Sequence, residues 1–86
     1  MKLRDDVLVA DVEYGSALLD EASGQYWSLN PTGVLVLQTL LGGGSREEAA
    51  RALSDEYGAD LETARRDVEE LVDGLTASGL LEREGE

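Results

Sequence analysis

Gly24-Gln25-Tyr26-Trp27-Ser28-Leu29-Asn30-Pro31-Thr32-Gly33 is the stretch on which the fold turns. Its first half, Gln25 to Leu29, is rich in bulky and aromatic side chains and reads as a strand. Alternation along a strand puts Trp27 and Leu29 on one face and Tyr26 and Ser28 on the other, so the first pair is expected to face the core. The second half reads as a helix start. Asn30 or Thr32 can accept a backbone N–H as a cap, Pro31 is tolerated in the first turn, and the apolar run Val34 to Leu41 follows. A strand therefore passes directly into a capped helix.

Upstream, Val7 to Val12 and Ser16 to Asp20 are short apolar runs joined by Glu13-Tyr14-Gly15, where Gly15 can take a positive φ. Glu21-Ala22-Ser23-Gly24 supplies a longer turn to the third strand. The economical arrangement is a three-stranded antiparallel meander. Downstream, Gly42-Gly43-Gly44 ends the first helix, and Ser45-Arg46-Glu47-Glu48 has the spacing of a capping box for a second helix that closes at Tyr57-Gly58. Asp60 can cap a third, in which Leu61, Ala64, Val68, Leu71, Val72 and Leu75 recur at helical spacing before Ser78-Gly79. Leu80 and Leu81 then fold back. The predicted fold is α+β, a winged helix-turn-helix: a three-stranded β-meander followed by three α-helices, one domain over residues 1–86.

The composition removes several classes of function. There is no cysteine and no histidine, which rules out thiol chemistry, disulfides, zinc–thiolate sites and the commonest general base. Nothing places two carboxylates in a pocket, so catalysis is not expected, and neither a cofactor nor a metal site is read from the chain. A calcium loop of alternating aspartates is absent, and Ser28-Leu29 lies in a strand run where an acyl carrier would open a helix with its modifiable serine. No apolar run approaches the roughly 20 residues needed to span a bilayer, and Met1-Lys2-Leu3-Arg4-Asp5-Asp6 turns acidic where a signal peptide turns apolar. A soluble, cytoplasmic protein is expected.

Charge bears on the partner. The net charge is −12, from 19 acidic and 7 basic residues, a field that repels phosphate backbones and anionic lipids and favours a basic partner. A winged helix invites comparison with DNA binders. From Asp60 to Leu75, however, six acidic residues (Asp60, Glu62, Asp67, Glu69, Glu70 and Asp73) stand against Arg65 and Arg66. Such a helix loses the counterion-release term on which nucleic-acid affinity rests, so neither nucleic acid nor membrane is expected as partner.

Asp6-Val7-Leu8-Val9-Ala10, the run from Leu18-Leu19-Asp20-Glu21 through Gly24 to Gly33, and the closing Gly79-Leu80-Leu81 together resemble the PqqD family. The resemblance spans nearly the whole chain and is most specific at Leu29-Asn30-Pro31-Thr32-Gly33 after a strand with two aromatics. It implies a RiPP recognition element, a non-catalytic domain that binds the leader peptide of a ribosomally made precursor and, chaperone-like, presents it to modifying enzymes. Freestanding members of this length imply a lasso-peptide pathway, with a leader peptidase as partner and a cyclase downstream. The resemblance further implies that the leader adds as an antiparallel strand to Gln25, Tyr26, Trp27, Ser28 and Leu29. It would pack on the third helix at Ala64, Val68, Leu71 and Leu75, with Asp67 at the rim facing a leader lysine or arginine. Leaders of the lasso type carry an aromatic, a proline and a leucine that such a groove can accept.

The same residues have plainer readings. By periodicity alone Val68, Leu71, Val72 and Leu75 are core, Trp27 is a structural centrepiece, Asn30 to Gly33 is a cap, and the acidic face of the last helix is solvated. The rival function is a generic interaction adaptor, or a homodimer paired through the open strand edge.

Overall fold

The computed structural model describes residues 2–13 and 15–82. In chain order these form β1 (Lys2–Leu3), β2 (Val7–Val12), β3 (Gly15–Asp20), β4 (Tyr26–Leu29), α1 (Pro31–Leu41), α2 (Arg46–Tyr57), α3 (Leu61–Ala77) and β5 (Leu81–Glu82). The expected meander is present as an antiparallel sheet of order β2-β3-β4, followed by the three expected helices.

Two differences from the expected strands stand out. A second, two-stranded sheet joins β1 to β5, pairing Leu3 with Leu81, and so clasps the two ends of the described chain. Each of its strands has only two residues, too short to show any periodicity. In addition, β4 begins at Tyr26 rather than Gln25, although Gln25 still accepts a hydrogen bond at its carbonyl from the Asp20 N–H at 2.8 Å.

Register follows from the pleat. Leu18 lies opposite Val9 on one side and Trp27 on the other, and Ser16 lies opposite Leu29. Residues directly opposite share a face, so Leu18, Trp27 and Leu29 all point toward the helices. Leu18 and Leu29 are buried, with Trp27 half-buried against them. Gly15 adopts φ +147°, and a Cβ there would overlap the Leu29 carbonyl oxygen; only glycine fits beneath the end of β4. Tyr14, in the middle of the expected turn, lies outside the described residues.

The helices start where their caps dictate. The Asn30 side chain accepts from the Gly33 N–H at 2.9 Å and from the Thr32 hydroxyl at 2.8 Å, with Pro31 in the first turn. Ser45 and Glu48 form the reciprocal capping box, and Asp60 accepts from the Thr63 N–H. Val36, Leu37 and Leu40 of α1, Ala49, Ala50 and Leu53 of α2, and Ala64, Val68, Val72 and Leu75 of α3 close over the sheet as one core with Leu80 and Leu81. Outside it, α2 and α3 are fastened by ion pairs, Arg46 to Glu69 and Arg65 to Glu47.

Candidate functional site

β4 is an edge strand. β3 pairs with one of its sides, and among the described residues nothing pairs with the other. The Asp20 N–H bonds to the Gln25 carbonyl, so Gln25 is turned toward β3. In an antiparallel ladder the N–H and C=O of one residue point the same way and the direction alternates along the strand. Trp27 and Leu29 are therefore also turned toward β3, and Tyr26 and Ser28 present their N–H and C=O groups to the open edge. Those four groups are a template for a further strand.

Beside this edge runs α3. The rim of the Trp27 indole lies against Gly74: a Cβ at Gly74 would sit 3.1 Å from Cη2 and 3.4 Å from Cζ2, closer than such atoms comfortably pack. Glycine at this position is what lets helix and strand approach. Where β4 passes into α1 the gap widens into a cleft of about 440 Å³. Its floor is Val36, Leu53 and Leu71, and its rim carries Asp67 and Glu70 on one side and Asn30, Thr32 and Gly33 on the other. An apolar floor under two carboxylates suits a side chain with an apolar stem and a cationic or hydroxylated tip.

The structure divides the predicted residues of α3. Asp67 and Leu71 line the cleft. Ala64, Val68 and Leu75 are exposed by 0%, 1% and 1%; they belong to the core and do not line the cleft. One helical turn explains the division, since at 100° per residue Asp67, Glu70, Leu71 and Gly74 fall on the flank facing β4 while Ala64, Val68, Val72 and Leu75 fall on the face toward the sheet and α2. Of the strand residues, Tyr26 and Ser28 point away from the helices, Trp27 and Leu29 point toward them, and Gln25 is in the exposed turn. Glu70, Gly74, Val36 and Leu53 were not singled out from sequence, nor were Asn30, Thr32 and Gly33 assigned to more than the cap. The spacing from Asp67 and Leu71 carried the signal for Glu70 and Gly74; nothing local in α1 or α2 pointed to Val36 or Leu53.

A second surface lies on the outer face of the sheet. Leu8, Leu19 and Tyr26 are mutually opposite across the three strands and 50%, 40% and 69% exposed, an apolar row in open solvent. No helix among the described residues is long and apolar enough to cross a membrane, and no three acidic, histidine or cysteine side chains among them gather as a metal site.

Residues 15–81 match the family described as coenzyme PQQ synthesis protein D (PqqD). No protein of curated function matches the chain. Two solved structures are similar to it. A lasso peptide synthetase B1 complexed with the leader peptide is 42% identical, over 92% of this chain and 93% of that one, with a TM-score of 0.85. TbiB1 in complex with the TbiA(beta) leader peptide is 30% identical over the full length of both chains, also with a TM-score of 0.85. With the meander, the three helices and the run around Leu29-Asn30-Pro31-Thr32-Gly33 all in place, the chain belongs to the PqqD family.

Proposed function

We propose that this protein is a RiPP recognition element of a lasso-peptide pathway, which binds the leader of a ribosomally made precursor and performs no chemistry on it. The observation that carries the reading is the open edge of β4 beside the cleft under α3, in a fold shared with two B1 proteins solved with leader peptides. The leader adds antiparallel to β4, bonding to the outward groups of Tyr26 and Ser28, each bond contributing about 0.5–1.5 kcal/mol net. An antiparallel peptide runs from the Leu29 end of β4 toward the Tyr26 end. The residues just before its paired segment therefore meet the cleft, where a cationic or hydroxylated side chain suits Asp67 and Glu70. An exposed rim pair adds only about 0.2–1 kcal/mol, so strand addition and apolar burial carry the affinity.

The partners in this reading are the precursor leader, a leader peptidase and a cyclase acting downstream, all in the cytoplasm. A peptidase that acts on a captured leader needs a surface the leader leaves free, and the Leu8–Leu19–Tyr26 row is such a surface. Leu19→Arg is expected to abolish co-elution with the peptidase while leaving leader affinity unchanged; co-elution retained would exclude this face.

Calorimetric titration with a synthetic leader from a precursor encoded beside this chain tests the function itself. Saturable 1:1 binding, lost with a scrambled leader, supports the reading. No binding at high micromolar peptide, with a dimer seen by sedimentation, transfers the open edge to self-association.

A further inference from the structure

Asp20 is the one carboxylate of the described core: 2% exposed, on the helix-facing side of β3, and not among the residues that line the cleft. Its bonds converge on the turn that launches β4. Oδ1 accepts the Ala22 N–H at 3.0 Å, and Oδ2 accepts the Ser23 hydroxyl at 2.8 Å. Ser23 Oγ in turn accepts the Gln25 N–H at 3.3 Å, while the Asp20 backbone bonds to Gln25 and Gly24 on both sides of the turn. Gly24, at φ +77°, makes the bend. From the other side Asp20 is held by the guanidinium of Arg4, a residue whose backbone N–H bonds to the Leu80 carbonyl, so that the carboxylate is tied to the clasp of β1 and β5.

This chain of bonds ends at Gln25, the residue that fixes the alternation of β4. Were the turn to slip by one residue, Tyr26 and Ser28 would exchange roles with Trp27, and the outward template and the inward Trp27 would be lost together. The turn itself has no core packing: Glu21, Ala22, Ser23, Gly24 and Gln25 are all exposed. Only the polar network holds it. We propose that Asp20 and Ser23 are positioning residues for peptide capture: they touch no ligand, but fix where β4 begins and so hold its outward N–H and C=O groups in the spacing an incoming strand requires. This rests on the leader-binding reading above and adds to it the device that preorganises the edge, sparing the peptide the entropic cost of ordering it.

Ser23→Ala tests this in the full-length protein, since the side chain is exposed and its loss leaves the core intact. Its melting temperature is expected to stay close to that of the parent, while leader affinity falls about three- to ten-fold, the equivalent of one hydrogen bond, and the Gln25 amide exchanges faster. Ser23→Thr, which keeps the hydroxyl, is expected to restore affinity. Asp20→Asn, compared at a temperature where circular dichroism shows it folded, is expected to lose at least as much as Ser23→Ala. Parent-like affinity, within two-fold, in either Ser23→Ala or folded Asp20→Asn would overturn the proposal. A parent protein that binds no leader would instead overturn the function on which it rests.

Discussion

Asp20 shows how one side chain can carry a measurable signature of the fold. Hydrogen bonds from Arg4 and then Ser23, reinforced by the Ala22 N–H, hold its carboxyl well below the ordinary carboxylate range, at about 2. The folded state thus takes up this proton less readily than the unfolded chain, whose aspartates titrate near about 4. A depressed carboxylate stabilises the fold fully above the unfolded value and loses that contribution as the pH falls through the folded one. Asp20→Asn is therefore expected to melt below the parent at neutral pH, with the gap closing between about pH 4 and pH 2; a gap that persists to pH 2 would contradict the assigned bonds. Asp67 makes the opposite case, a residue whose substitution reports on binding alone. It is exposed on the cleft rim, so Asp67→Lys is expected to leave the melting temperature nearly unchanged and to weaken leader binding several-fold, up to about 1 kcal/mol. Unchanged affinity would remove Asp67 from the site.

At the scale of elements, what was legible in the sequence is what local chemistry decides. Asn30, Ser45 and Asp60 announce helix starts because their side chains satisfy orphan N–H groups wherever the helix lies. Gly15 and Gly58 announce turns through positive φ in the same way. The part that escaped depends on tertiary placement. Val68, Leu71 and Leu75 form a single apolar stripe in the sequence, and only the position of β4 against α3 separates Leu71, in the cleft, from the other two, in the core. Gly74 reads as a weak spot within a helix, yet it is the seat of Trp27. Gly74→Val is accordingly expected to push the indole outward, shift its fluorescence to the red, lower the melting temperature and weaken leader binding. Unaltered emission would show that the contact is not needed.

Across the whole molecule, the charges settle which surfaces remain free. Lys2, Arg4, Arg46, Arg51 and Arg65 each face a carboxylate within the protein, so most of the cationic side chains are neutralised internally and the field outside is set by the excess of acid. The same pairing weighs against DNA reading by a winged helix-turn-helix of this kind: Arg65, on the helix that would enter a groove, is held by Glu47 through bonds of 2.6 to 3.2 Å. What is left is an open strand edge, a cleft with an acidic rim and an acidic field, the three features on which the proposed capture of a basic peptide rests.

The central claim is strand addition at β4, and amide hydrogen exchange with and without a leader peptide tests it most directly. Tyr26 and Ser28, whose N–H groups point to the open edge, are predicted to gain strong protection on binding, while Trp27 and Leu29, already paired with β3, change little. A leader that binds without protecting Tyr26 and Ser28 would contradict the account.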